Sequence, residues 1–265
     1  DQDTERFGAL VRYRVAWPAG ADYGNAQQAH LALLLPRVGA RYQVLLNGQE
    51  VAQVGWRAPP ERLVNAVIEP QYIALTESLL AARPQDNRLE ILVQRLRFER
   101  SGLWPLQIGP EDIIYQRYRT LLAWQFGGNW MMLMTAVLMA LMAGSLWLMQ
   151  RDRLYGLLAL SSLAHAVRLW LGVRMEPPLS HEAYFLLYRI AFTFYACLLL
   201  LFAEALFGYR LRPVRWIACG ALLVGPPWIV AALLADSMLL NAGWAAVLAL
   251  LSTITLLLIF WHGRF

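Results

Sequence analysis

Lysine is missing altogether, so the 23 basic residues are all Arg. That bias reflects a GC-rich genome and carries no function of its own. Charged residues make up 15% of the chain, where a soluble domain carries about 25%. Cysteine is nearly absent: Cys197 and Cys219 both fall in long apolar runs. They read as packed thiols, and no disulfide framework supports the fold. The four histidines are scattered and make no metal-ligand spacing. G-x-S-x-G, H-E-x-x-H, the phosphate-binding P-loop, G-x-G-x-x-G and Cys-x-x-Cys are all missing. The chain therefore reads as a non-enzyme with no cofactor and no metal. Asp1-Gln2-Asp3-Thr4-Glu5-Arg6 is polar and lacks the apolar stretch of a signal peptide. If the first domain is exported, the expectation is a signal already removed.

Apolar residues are abundant, at 58% of the chain, with a mean hydropathy of +0.42. That excludes an ordinary cytosolic enzyme and a disordered chain, and points to a membrane protein with a soluble part. Residues 1–120 carry 14 Arg against 13 Asp and Glu, and residues 121–265 carry 9 Arg against 5. The net charge of +5 thus sits mostly in the apolar half. There it sets membrane topology. Nucleic acid is excluded as a partner, because it needs a basic stripe with supporting motifs.

Residues 1–110 read as an all-β sandwich domain. Leu10–Val15 alternates apolar and polar residues, and His30–Leu35 is a short apolar run bounded by Pro36. Tyr42–Leu46 and Val51–Trp56 flank Asn47-Gly48. This pair marks a hairpin, because both central residues of its turn need positive φ. Leu89–Gln94 is a further strand, introduced by the turn-like Pro84-Gln85-Asp86-Asn87. Residues 111–121 follow as a linker helix. Pro110 suits a helix start, and Glu111 and Asp112 suit its positive end.

Residues 122–265 form the membrane region. Five apolar spans are expected at 122–149, 154–173, 183–207, 214–235 and 239–261. Each reaches the roughly 20 residues that cross a bilayer core as a helix. Trp130 and Trp147 are expected at the two interfaces of the first span, and Trp244 and Trp261 at those of the fifth. Arg151, Arg153, Arg210, Arg212, Arg215 and Arg264 fall on one side of the membrane. The opposite loops hold Arg174 with Glu176 and Glu182, and then Asp236. The positive-inside rule makes the Arg-rich side cytoplasmic, so the first domain lies outside, in a bacterial periplasm.

Several segments carry a family resemblance. They are His30–Gly39, Tyr42–Gly48, Asp86–Val93, Gly102–Pro110 and the junction Arg151–Leu160 leading to Arg168-Leu169. On them the chain resembles the bacterial seven-transmembrane receptors with diverse intracellular signalling modules. The resemblance implies an extracytoplasmic jelly-roll domain, a helical bundle in the inner membrane and a cytoplasmic output domain. Against that pattern, five of seven spans are present, and the kinase, cyclase or phosphatase module is missing. The family's jelly rolls are similar to carbohydrate-binding modules, which stack sugars on aromatic rings. Trp56, Arg57, Tyr72 and Trp104 are the ligand-binding candidates on that basis. Alternatively, Trp56 plugs the core at a strand end and Trp104 docks the domain on the membrane helices.

The candidates for signal relay lie in the spans. His165 and Arg168 share a helix face toward the outer side. They form a polar site facing the bundle, or Arg168 snorkels to the headgroups. Arg189 and Glu204 read as further relay residues, or as snorkelling and interfacial pairs, with an inner-loop Arg as the partner of Glu204. Pro226-Pro227 is expected to interrupt the fourth span, either as a hinge or as an ordinary membrane-helix kink. The linker helix is either a rigid relay or a passive connection.

The functional expectation is the sensor portion of a transmembrane receptor. It binds a carbohydrate or another ligand, or a protein, outside the membrane. The alternative is a membrane-anchored binding or scaffold module without signalling. A transporter would want polar residues converging at mid-membrane, and here the charges lie near span ends. The bilayer, a periplasmic ligand or protein, and a second copy of the chain in a homodimer complete the expected partners.

Overall fold

The computed structural model describes residues 10–16, 30–39, 41–56, 64, 66–80, 86–94, 102–174, 176, 179–207 and 212–262. Two compact units divide the chain. The first holds residues 1–129 with 173–180, and the second holds 130–172 with 181–265.

The first unit is built on antiparallel sheets. Its strands are β1 (Leu10–Ala16), β2 (Leu31–Leu35), β3 (Arg41–Leu46) and β4 (Gln49–Val54). They continue with β5 (Gln71–Leu75), β6 (Arg88–Gln94) and β7 (Gln107–Pro110). One sheet has the order β1-β6-β3-β4 and the other β5-β2-β7. The two share one hydrophobic core. Leu31, Leu33 and Leu35 of β2 and Ile73 and Leu75 of β5 meet Tyr42, Val44 and Leu46 of β3 and Leu89, Ile91 and Val93 of β6. Alternation along each strand sends these side chains to one face. β2 alone reads as an unbroken apolar run, because it is buried on both faces. Its Ala32 and Leu34 lie under a helix.

Asn47 and Gly48 form the β3–β4 turn with φ of 53° and 85°. Leu46 pairs with Gln49 across that two-residue loop. Both positive φ values match the turn whose twist suits a hairpin. The Asn47 side chain also ties the turn to its surroundings. Its Nδ2 donates to the Leu79 carbonyl at 2.7 Å, and its Oδ1 accepts from the Arg88 N–H at 2.8 Å. β5 and β7 were not among the expected strands. Both are short, and Gly109-Pro110 argues against a strand from sequence alone. Pairing with β2 on either side stabilises them.

Helix α1 (Glu111–Leu122) starts directly after β7, with Pro110 at its N-cap and Glu111 and Asp112 in its first turn. Its Ile114 is buried on Ala32 and Leu34, with Tyr118 and Leu121 beside it. A π-helical turn, Ala123–Gly127, carries the helix on into α2 (Gly128–Gln150).

The remaining helices are α3 (Arg153–Gly172), α4 (His181–Leu206), α5 (Arg212–Leu234) and α6 (Met238–His262). These four and the α2 stretch are five helices long and apolar enough to cross a membrane. Asp152 caps α3 through the Leu154 N–H at 2.9 Å, and Ser237 caps α6 through the Leu240 N–H at 3.3 Å. Two expectations need correction here. Pro226-Pro227 lies inside α5 without interrupting it. The prolines deny hydrogen bonds to the Leu222 and Leu223 carbonyls, but the turns on either side remain helical. Trp244 faces the bundle and not the lipid. It is 6% exposed, and its Nε1 donates to Thr193 Oγ1 at 3.0 Å.

Candidate functional site

A site among the described residues of the sheet unit lies where β5 meets the start of α1. Tyr72 points out from β5, and its hydroxyl donates to Glu111 Oε1 at 2.6 Å. Its ring meets Tyr115 edge-on at 5.5 Å and Tyr118 at 5.7 Å. The chain brings them together simply: Glu111, Tyr115 and Tyr118 share a helix face by their four- and three-residue spacing. Ile114 anchors that helix to the sheet. A cavity of about 610 Å³ opens here, lined by His30, Tyr72, Pro110, Glu111, Asp112 and Tyr115. Such a volume suits a small-molecule ligand. Burial, followed by the hydrogen bond and negative charge of Glu111, pushes the Tyr72 hydroxyl up to about 12. Tyr72 therefore stays a neutral donor.

The other expected ligand residues are not at this cavity. Trp56 is half-buried in the turn beyond β4, which ends at Val54, so it does not close a strand. Trp104 is 56% exposed. Its N–H donates to the Arg37 carbonyl at 3.1 Å, and the Arg37 guanidinium lies 5.2 Å from its ring. Among the described residues, no hydrogen bond or ring contact joins Trp56, Tyr72 and Trp104. Arg57 lies outside the described residues. His30, Glu111, Asp112 and Tyr115 went unrecognised as ligand-site candidates. Helical spacing gives the Glu111–Tyr115 pair, whereas their meeting with Tyr72 depends on a strand that the sequence hides.

In the helical unit, His165 and Arg168 of α3 face aromatic rings of α4. His165 stacks on Tyr195 with centroids 4.3 Å apart. Arg168 donates to the Tyr188 hydroxyl at 3.3 Å and lies 5.1 Å from the Phe192 ring. A guanidinium held among aromatic rings is a cation–π arrangement and keeps an intramembrane charge partnered. Arg189 lies 5.5 Å from the Phe185 ring. Glu204, 6% exposed, accepts from Arg215 at 2.8 Å. Arg215 belongs to the Arg-rich face that the loop charges define. Pro226 and Pro227 follow Gly225, where an added Cβ would come within 2.6 Å of Trp244 and 2.8 Å of Thr193.

No protein-family model matches the chain, and no curated protein or solved structure matches it.

Proposed function

We propose that the chain is the sensing portion of a bacterial inner-membrane receptor of the kind it resembles. In this reading a periplasmic jelly-roll domain takes a carbohydrate in the Tyr72 cavity and passes the event to the helices. The observation that carries it is the make-up of that cavity's walls: one is sheet, and the other is the first turn of the helix that runs on as α2. Tyr72 and Tyr115 offer ring faces to the C–H side of a sugar. The Glu111 and Asp112 carboxylates accept from its hydroxyls. A ligand that fills the cavity bears directly on the start of α1, whose helix runs on as α2 through the π-helical turn that ends at Gly127-Gly128.

The outward orientation draws support from the Arg asymmetry.

The test uses the full chain in detergent with a panel of neutral mono- and oligosaccharides. Calorimetry should find saturable binding of at least one of them, weakened tenfold or more by Tyr115→Ala and by Asp112→Asn. Hydrogen exchange of α2 should change on binding. Binding without any change in α2 would favour the alternative, an anchored binding module, and absence of binding would remove the carbohydrate reading.

A further inference from the structure

The Tyr72 cavity is one-sided in charge. Of the six described residues that line it, Glu111 and Asp112 are carboxylates and none is Arg, although residues 1–120 hold 14 Arg. The first basic residue of α1, Arg117, turns the other way. Its guanidinium donates to Gln107 Oε1 of β7 at 2.7 Å, and β2 stands between β7 and β5. The helix end contributes about half a positive charge against two negative ones, so the balance stays negative.

The open charged groups are all acceptors. Glu111 Oε1 accepts from the Tyr72 hydroxyl at 2.6 Å, a bond that uses the Tyr72 donor and fixes the carboxylate. Its other oxygen, Oε2, and both oxygens of the exposed Asp112 have no partner among the described residues. Pro110 has no N–H, and the Glu111 N–H is engaged by the His30 carbonyl at 2.9 Å. A neutral sugar hydroxyl both donates and accepts, whereas an ammonium only donates, through three N–H groups. Open carboxylates match the second more fully than the first. Ring faces complete the match. Tyr72 and Tyr115 meet edge-on with planes 74° apart, so they form a corner beside the carboxylates. Tyrosine faces attract a cation through their π cloud, and they also take the C–H side of a sugar ring.

We propose that the sugar taken in this cavity is a basic one, an amino sugar with a free, protonated amine. Its ammonium lies between Glu111 Oε2 and the Asp112 carboxylate, and its ring lies against Tyr72 and Tyr115. This inference rests on the carbohydrate reading and adds the charge of the ligand to it. Acetylation of the amine removes that charge, and a uronic acid sets a third carboxylate against the two present, so the cavity disfavours both.

The experiment compares three disaccharides on the full chain in detergent by calorimetry, at low salt and at a pH that keeps the amine protonated. Chitobiose carries an amine on each ring, cellobiose a hydroxyl in its place, and N,N′-diacetylchitobiose an acetamide. Chitobiose should bind at least fivefold more tightly than the other two. Asp112→Asn should bring chitobiose and cellobiose within twofold of each other, and high salt should narrow the gap in the parent. The net charge of +5 on the chain works against unspecific attraction of a cation. Chitobiose binding no more tightly than a neutral sugar, tighter binding of the acetylated sugar, or a preference that survives in Asp112→Asn would each overturn the proposal and leave the carbohydrate reading in place. Failure of every sugar to bind, the neutral panel included, would remove that reading and this proposal with it.

Discussion

Replacing Tyr72 with Phe removes one oxygen and tests how firmly the sheet holds the head of α1. The ring and its edge-on contact with Tyr115 at 5.5 Å remain. What goes is a 2.6 Å hydrogen bond to the Glu111 carboxylate. Hydrogen bonds to charged groups contribute about 1.5–3 kcal/mol. Both partners are half-buried, so competing water brings the expected loss to about 1 kcal/mol. Since 1.4 kcal/mol is a factor of ten, amides of α1 such as Tyr118 and Arg119 should exchange about fivefold faster in Tyr72→Phe. Glu111→Ala removes the same bond from the acceptor side, so the double variant should lose less than the sum of the two single variants. The phenol's pKa fixes the pH window. It rises from 10 to about 12 on folding, so its stabilising effect is complete below pH 10 and is lost between pH 10 and 12. Burial also pushes the Tyr42 hydroxyl up, so spectrophotometric titration should show one fewer late-ionising tyrosine in Tyr72→Phe than in the parent. Unchanged α1 exchange in Tyr72→Phe, or fully additive losses in the double variant, would refute the coupling.

Gly55 has φ of +66°, and a Cβ there would lie 2.8 Å from the Val64 side chain. Gly55→Ala should therefore lower the melting temperature of the sheet unit, at a cost of about 1–3 kcal/mol from the backbone alone; an unshifted melt would show that the turn can relax. Asn47→Ala loses the bonds to Leu79 and Arg88 and should cost about 1–3 kcal/mol by the same measurement. Glu204 has a side chain 5% exposed against 47% for Arg215. Arg215→Gln, which strands the carboxylate, should reduce detergent stability more than the Arg215→Gln/Glu204→Gln double variant does; the reverse order would show that the pair is dispensable. In a background of Cys197→Ala and Cys219→Ala, Gln49→Cys should react with an impermeant thiol reagent on intact spheroplasts. Arg153→Cys should react only after permeabilisation, and the opposite pattern would invert the topology.

The five spans were legible because lipid imposes a length and a composition that no neighbour can override. The helices start slightly ahead of the expected spans because caps such as Asp152 and Ser237, rather than hydropathy, set their first turns. The Asn47-Gly48 turn was legible because its chemistry is local. β7 was not, since Gly109 and Pro110 disfavour a strand and only pairing with β2 creates one. The same limit hid the Tyr72 cavity, whose walls are 39 residues apart at the Tyr72–Glu111 bond. Trp244 misled for a related reason. A tryptophan near a span end fits an interfacial belt, and a hydroxyl such as Thr193, 51 residues away, is invisible to local pattern.

The Gly225 contact has a consequence for how the bundle comes together. Thr193 of α4 and Trp244 of α6 close on a position that tolerates no side chain at all. Three helices that meet so tightly have one register, and sliding any of them by a residue would put a methyl group into the indole. α2 has no such lock: its buried residues are Leu133, Ala136 and Ala143, while α4 buries nine, including Cys197, Leu200 and Glu204. During insertion the α4–α6 wedge can therefore fix the frame first. α2, although first in sequence, is the helix left to find its seat last and to exchange most readily with surrounding lipid.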